Sequence, residues 1–200
     1  MQGSTGENAR RGRGDSDSAP SAFLVVNADD AGVDSARNRG ILYAFKWGIV
    51  RSASVLSGWP SSAEFVKAAR AVRGPAGERI DLGLHLNVTE GVPLVSGHTT
   101  LVGSDGKFLG KFELWKRALN GQIDPAEARR EVRAQLDWLD RHGAKVSHLD
   151  GHNHAHLLPG IAEAVGEETP PGLWVRANSG TPGWSMNEDP PELFREPARL

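Results

Sequence analysis

From Ala22 onward, apolar and polar positions alternate between two periods. Phe23-Leu24-Val25-Val26 is a short apolar run of the kind that forms a buried parallel strand. Asp34 then stands at a helix N-cap, and Ile41, Leu42 and Phe45, flanked by Tyr43 and Ala44, keep helical spacing as far as Gly48. Residues 52–56 predict a second strand. Ser61 and Glu64 have capping-box spacing and open a helix running to about Arg73. Residues 80–86 predict a third strand. Residues 91–121 hold six glycines and no clear period, which suits a long loop or insertion. Asp124-Pro125 supplies an N-cap and a first-turn proline for a helix expected to end at Gly143. A fourth strand over 145–150, a short helix over 161–165 and a fifth strand over 173–176 complete the pattern.

Alternating strands and helices imply an α/β domain with a parallel sheet, whose chemistry gathers at the carboxyl ends of the strands. A full (β/α) barrel takes about 250 residues, and only five strands are read here. The expected organisation is a polar tail over 1–21, an α/β domain over 22–177 and an irregular, Pro-rich segment over 178–200. The tail is rich in Gly, Ser, Arg and Asp with almost no large apolar side chain, a composition that does not offset the entropy of ordering. Its Arg13-Gly14-Asp15 tripeptide is read as coincidental, and it lacks the apolar core of a secretory signal.

Composition adds exclusions more than direction. With 38% hydrophobic and 24% charged residues and a net charge of −2, the chain has no long-range attraction to nucleic acid or anionic membranes. The absence of cysteine rules out disulfides and thiolate metal sites and fits the cytoplasm. No apolar run reaches the roughly 18 residues of a membrane helix. The Asn87-Val88-Thr89 sequon is discounted on the same grounds as secretion.

Three strand ends carry unusual residues. In Asn27-Ala28-Asp29-Asp30-Ala31-Gly32, two adjacent carboxylates raise each other's pKa, and a cation would relieve them, although a simple turn uses the same residue types. In the segment from Asp81 to Gly91, Asp81, Gly83, His85 and Asn87 share one strand face, and Leu82, Leu84, Leu86 and Val88 the other. There a histidine is either a ligand or a hydrogen-bonded structural residue. The third segment, His148-Leu149-Asp150-Gly151-His152-Asn153-His154-Ala155-His156, packs four of the chain's seven histidines into nine residues. Alternation at 152, 154 and 156 would put three rings on one side of an extended segment, and such density points to metal or catalytic work. Two histidines and a carboxylate leave open positions on a metal for water and substrate, and the second carboxylate is spare to act as a base. That is the logic of a hydrolase.

NADDAG at 27–32, DLGLHLNVTEG at 81–91 and SHLDGHNHAHLLP at 147–159 resemble, in the same order, the signature segments of the YdjC/ChbG carbohydrate deacetylases. Residues 40–57 are also similar to the family's helix and following strand. The resemblance implies a (β/α) barrel of the glycoside hydrolase/deacetylase type, here expected to be incomplete at the C-terminus. It implies a divalent ion, Mg or Zn, on Asp30, His85 and His152, with Asp29 as the base that activates water. His154 is the candidate acid for the leaving amine. Asn27, Asn87, His148, Asp150 and His156 are expected to orient ligands or meet substrate. The implied substrate is an N-acetylated sugar or chito-oligosaccharide, with no nucleic-acid or membrane partner. The assembly is open between a monomer and a homodimer.

One departure from the pattern is Ala31, where the family usually has Phe, which implies a missing aromatic wall beside the site. Trp59, Trp115 and Trp184 are candidates for stacking on sugar rings. Other readings are a shortened member that binds metal or sugar without catalysis, a non-haem Fe(II) oxygenase, and an amidohydrolase-type deaminase. The oxygenase more often sits on jelly-roll strands, and the deaminase usually has an early HxH where this chain has Asp29-Asp30.

Overall fold

The structure, a computed structural model, describes residues 24–177. Phe23, Trp184, the 1–21 tail and the 178–200 segment lie outside the described residues. Strands and helices alternate as β1 (Val26–Ala31), α1 (Ser35–Trp47), β2 (Val50–Val55), α2 (Ser62–Ala71) and β3 (Asp81–Leu86). They continue as α3 (Lys111–Leu119), α4 (Pro125–Arg141), β4 (Val146–Gly151), a 3₁₀ turn (His152–Leu157), α5 (Ile161–Glu168) and β5 (Trp174–Val175). The strands form one parallel sheet in the order β1-β2-β3-β4-β5. Each strand lies beside its predecessor, the arrangement of a (β/α) barrel wall with β1 and β5 as its edges among the described residues.

The core follows from the predicted faces. Leu82, Leu84 and Leu86 of β3 are buried, and Phe45, Phe65, Leu114, Leu139, Leu149 and Ile161 are fully buried from helices and strands around them. Each such side chain contributes about 1.5–3 kcal/mol on leaving water. Asp34 and Asp124 cap α1 and α4 as expected, accepting from the backbone N–H of Arg37 and Ala126.

Four local expectations are corrected. The first strand begins at Val26 and runs through Asp29 and Asp30, while Leu24 and Val25 are 88% and 66% exposed. Its pairing to β2 through Val26, Asn27, Ala28 and Ala31 places the polar stretch in the ladder rather than beyond it. The Ser61–Glu64 capping box does not form. Ser61 makes no side-chain cap, and Glu64 instead accepts from Ser35 Oγ of α1. The 91–121 region contains α3, whose buried Leu114 and Ala118 stand one turn apart; glycines on both sides masked so short a period. The fourth concerns the histidine segment and is described with the site.

The rest of the 91–110 loop is tied to α4 by two buried carboxylates. Glu127 accepts from the N–H and hydroxyl of both Thr99 and Thr100 at 2.7–2.8 Å. Glu131 accepts from the N–H of Leu94 and Val95 and faces His98 Nε2 at 3.2 Å. Burial raises the Glu127 carboxyl, but the bonds from Thr100 and Thr99 outweigh it and bring its pKa to about 2.

Candidate metal centre

The sheet brings three of the predicted residues to one point. Asp30, the last residue but one of β1, has a left-handed backbone, φ 61°, a conformation uncommon outside glycine that marks a constrained position. His85 comes from β3, and His152 is the first residue after β4. His85 Nε2 lies 3.1 Å and His152 Nδ1 3.0 Å from the same oxygen, Asp30 Oδ1. The three ligand atoms lie within 4.8 Å of one another.

The donor chemistry of this group fits a divalent ion. His85 Nδ1 donates to the fully buried Asp150 Oδ1 at 2.6 Å, so in the neutral ring Nε2 carries the lone pair. That lone pair then faces a carboxylate oxygen, and two acceptors in contact need a proton or a cation between them. Without an ion the proton supplies the balance. Burial would lower the His85 pKa, but Asp150 and Asp30 overcome this and raise it to about 9. The hydrogen bond to His85, ahead of an opposing burial and the charges of both histidines, brings Asp30 down to about 2. Spacings near 3 Å suit atoms sharing one ion at about 2.0–2.2 Å each.

Around this group a second layer fixes orientation. Asp150 accepts from His85, from Ser54 Oγ at 2.7 Å and from Arg176 Nη2 at 2.6 Å. Asn27 Nδ2 donates to Ser54 Oγ and to Asp29 Oδ1. Asp29 is not spare: Arg176 holds both its oxygens at 2.8 Å. Burial pushes the Asp29 carboxyl up, yet the bonds and charge of Arg176, helped by His85 and Asn27, leave it below its ordinary value. On its outer side His152 Nε2 faces Glu90 Oε1 at 3.2 Å.

The other predicted positions fall elsewhere. The expected extended run of histidines is a 3₁₀ turn in which Asn153 and His154 have φ 55° and 58°. The turn scatters the rings. His152 faces Asp30, His154 is exposed with its ring 6.5 Å from that of His156, and His156 is fully buried. His156 Nε2 donates to the Arg176 carbonyl, and burial lowers its pKa to about 4. His148 packs below the site, its Nε2 3.2 Å from Ser54 Oγ and 3.3 Å from Ser52 Oγ. Asn87 braces the turn after β3, accepting from the N–H of Thr89 and Glu90 and donating to the Glu90 carbonyl. Ala31 is fully buried in the hydrophobic core, so its side chain does not wall the site. Arg176, Glu90 and Ser54 were not singled out from sequence. Arg176 carried one usable signal, a cation at the carboxyl end of a predicted strand.

The sequence profile of the YdjC-like protein family matches residues 23–192. This chain belongs to the YdjC-like family. A human carbohydrate deacetylase is 36% identical over 154 residues, covering 75% of this chain and 46% of the relative. A carbohydrate deacetylase of Vibrio vulnificus YJ016 is 36% identical over 136 residues, covering 68% of this chain and 50% of the relative. The YdjC-like chain thus spans about half the length of these curated relatives. An Enterococcus faecalis V583 crystal structure, of a protein named for cellobiose-phosphate cleavage, superposes with TM-score 0.64 at 23% identity. It covers 78% of this chain and 59% of that one, and supports the fold. No helix among the described residues is long and apolar enough to cross a membrane.

Proposed function

We propose that this chain carries the site of a metal-dependent hydrolase that removes N-acetyl groups from acetylated carbohydrates. The observation that carries the reading is the convergence of Asp30, His85 and His152 beside the Arg176-bound carboxylate of Asp29. The relatives named carbohydrate deacetylase supply the substrate class. Asp30, His85 and His152 would hold the ion, Mg²⁺ or Zn²⁺, and two imidazoles among three ligands favour Zn²⁺. When bound, such an ion supplies a more acidic water and polarises the acetamide carbonyl.

The chain's own residues would do the remaining work. Asp29, kept ionised and aimed by the Arg176 fork, accepts a proton from the attacking water. Asp150 fixes the His85 tautomer and Glu90 that of His152. His154, exposed on the turn and without a hydrogen bond among the described residues, is assigned the proton that the departing amine needs. The water oxygen ends in acetate, and the carbon–nitrogen bond breaks to leave the free sugar amine. We assign the cysteine-free chain to the cytoplasm on composition.

The test is acetate release from N,N′-diacetylchitobiose with added Zn²⁺ or Mg²⁺, a chelator control, and Asp29→Asn in parallel. Chelator-sensitive release that falls at least about 100-fold in the variant is expected for a general base. No release from a folded chain that still binds Zn²⁺ would overturn the reading and favour a YdjC-like protein that binds without turnover.

A further inference from the structure

One face of the sheet is polar where the inside of a (β/α) barrel is ordinarily filled by branched apolar side chains. Ser52 and Ser54 of β2 and His148 and Asp150 of β4 lie on it, each pair two residues apart along its strand. Ser54, Gly83 and His148 stand on one rung across β2, β3 and β4, Ser54 opposite Gly83 and Gly83 opposite His148. The glycine leaves the middle of that rung open. A Cβ on Gly83 would stand 2.2 Å from His148 Nε2, so the ring lies across β3 in the space a side chain would fill. From there Nε2 reaches the hydroxyls of Ser54 at 3.2 Å and Ser52 at 3.3 Å.

The fully buried Ser54 hydroxyl is the junction of this layer. An ionised carboxylate only accepts, so the single Ser54 proton goes to Asp150 Oδ2, 2.7 Å away. The oxygen then has two lone pairs left for donors. Asn27 Nδ2 supplies one at 2.8 Å, and hydrogen-bond accounting makes His148 Nε2 the other, which places a proton on that ring nitrogen. On the far side of the ring, Ser147 Oγ stands 3.0 Å from Nδ1 and 2.6 Å from Asp81 Oδ2. Two of the three groups around Ser54 lead on to the metal centre. Asp150 Oδ1 accepts from His85 Nδ1, and Asn27 spends its second amide hydrogen on Asp29 Oδ1.

We infer that Ser54 and His148 are positioning residues of the metal centre: His148 fixes the Ser54 hydroxyl, and Ser54 holds Asp150 behind His85 and Asn27 behind Asp29. The inference rests on the metal reading proposed above. One hydroxyl thereby ties the side of the centre that binds the ion to the side that carries the base. His148 acts only through that hydroxyl, so its effect vanishes once the hydroxyl is gone.

The test is a double-substitution cycle on the Zn²⁺ affinity of the full chain, read by competition with a chromophoric chelator. Ser54→Ala is expected to weaken binding about tenfold, the lower end for a group that orients a ligand. The amide of His148→Asn ends at the Nδ1 position, short of Ser54, and is expected to cost about three- to tenfold. His148→Gln carries its amide to the Nε2 position and is expected to restore most of that loss. The double variant Ser54→Ala/His148→Asn is expected to match Ser54→Ala alone. Unchanged affinity in either single variant, equal losses for Asn and Gln, or losses that multiply in the double variant would overturn the inference and leave the metal site standing. No Zn²⁺ bound by the unaltered chain would overturn both. One measurement needs no substitution: long-range nitrogen–proton NMR of the unaltered chain is expected to find His148 Nε2 protonated. A ring protonated at Nδ1 alone would overturn the inference.

Discussion

Asp29 in β1 and Arg176 just beyond β5 meet through two hydrogen bonds of 2.8 Å, although 147 residues separate them. In a flat sheet of five strands the first and last would stand about 19 Å apart, at about 4.8 Å per strand. That is more than an arginine and an aspartate side chain together span. The sheet must therefore curl, and its curvature is what delivers a cation to the first of the paired carboxylates. The same guanidinium reaches Asp150, so one residue joins the candidate base to the carboxylate that orients His85.

Removing that guanidinium should change both rate and pH profile. In Arg176→Ala the Asp29 carboxyl loses the interactions that outweigh burial, so its pKa rises. Because the ionised form is the proposed base, the acid limb of kcat/KM should move to higher pH, with kcat falling about 10–100-fold from misplacement. Arg176→Lys should restore the charge and much of the pH profile but not the rate, since an ammonium cannot form the two-pronged contact. A pH–rate series on the three proteins checks this; identical acid limbs would contradict the assignment.

The carboxylates behind the histidines should govern metal affinity. Asp150→Asn should weaken Zn²⁺ binding by about 10–100-fold, because the amide's single NH2 must oppose a donor at one of the two oxygens, either His85 or the Ser54 and Arg176 pair. Glu90→Ala should weaken it less, by about tenfold at most, since Glu90 is about half exposed and supports His152 from the solvent side. Competition against a chromophoric chelator gives both numbers.

His156 should make stability fall as pH drops. Burial lowers its folded pKa from the ordinary 6.5 to about 4, so between these values the unfolded chain binds a proton that the native one refuses. The His156 contribution is therefore fully present above about 6.5 and is lost progressively toward 4. The loss has an upper bound on the order of 3 kcal/mol for a shift of that size. Urea titrations at pH 7, 5.5 and 4.5 should show it, and His156→Gln should flatten the slope over that window.

Gly83→Ala should destabilise the fold by about 1–3 kcal/mol. A Cβ there would stand 2.2 Å from His148 Nε2, and Ser52, Ser54 and Ser147 fix that ring in place. Thermal melts of the metal-free variant separate this packing effect from any change in metal binding.

Local signals in the chain marked every strand and every α-helix but α3, because caps such as Asp34 and Asp124 and the alternation in β3 act within one or two turns of chain. They also marked the Asp29-Asp30 pair, His85 and the histidine cluster as candidates, and the family resemblance implied Asp30, His85 and His152 among them. What remained illegible was non-local. That Arg176 holds Asp29, that Glu90 faces His152 and that Ser54 supports Asp150 depends on strand register and sheet curvature. Neither leaves a mark on neighbouring residues. The turn at Asn153 and His154 was hidden for a related reason. Two left-handed residues are locally unfavourable, and the packing that sustains them, His156 buried beneath Arg176, exists only once β4 and β5 are paired. Residue types thus named the chemistry, and the curled sheet decided which of those residues meet.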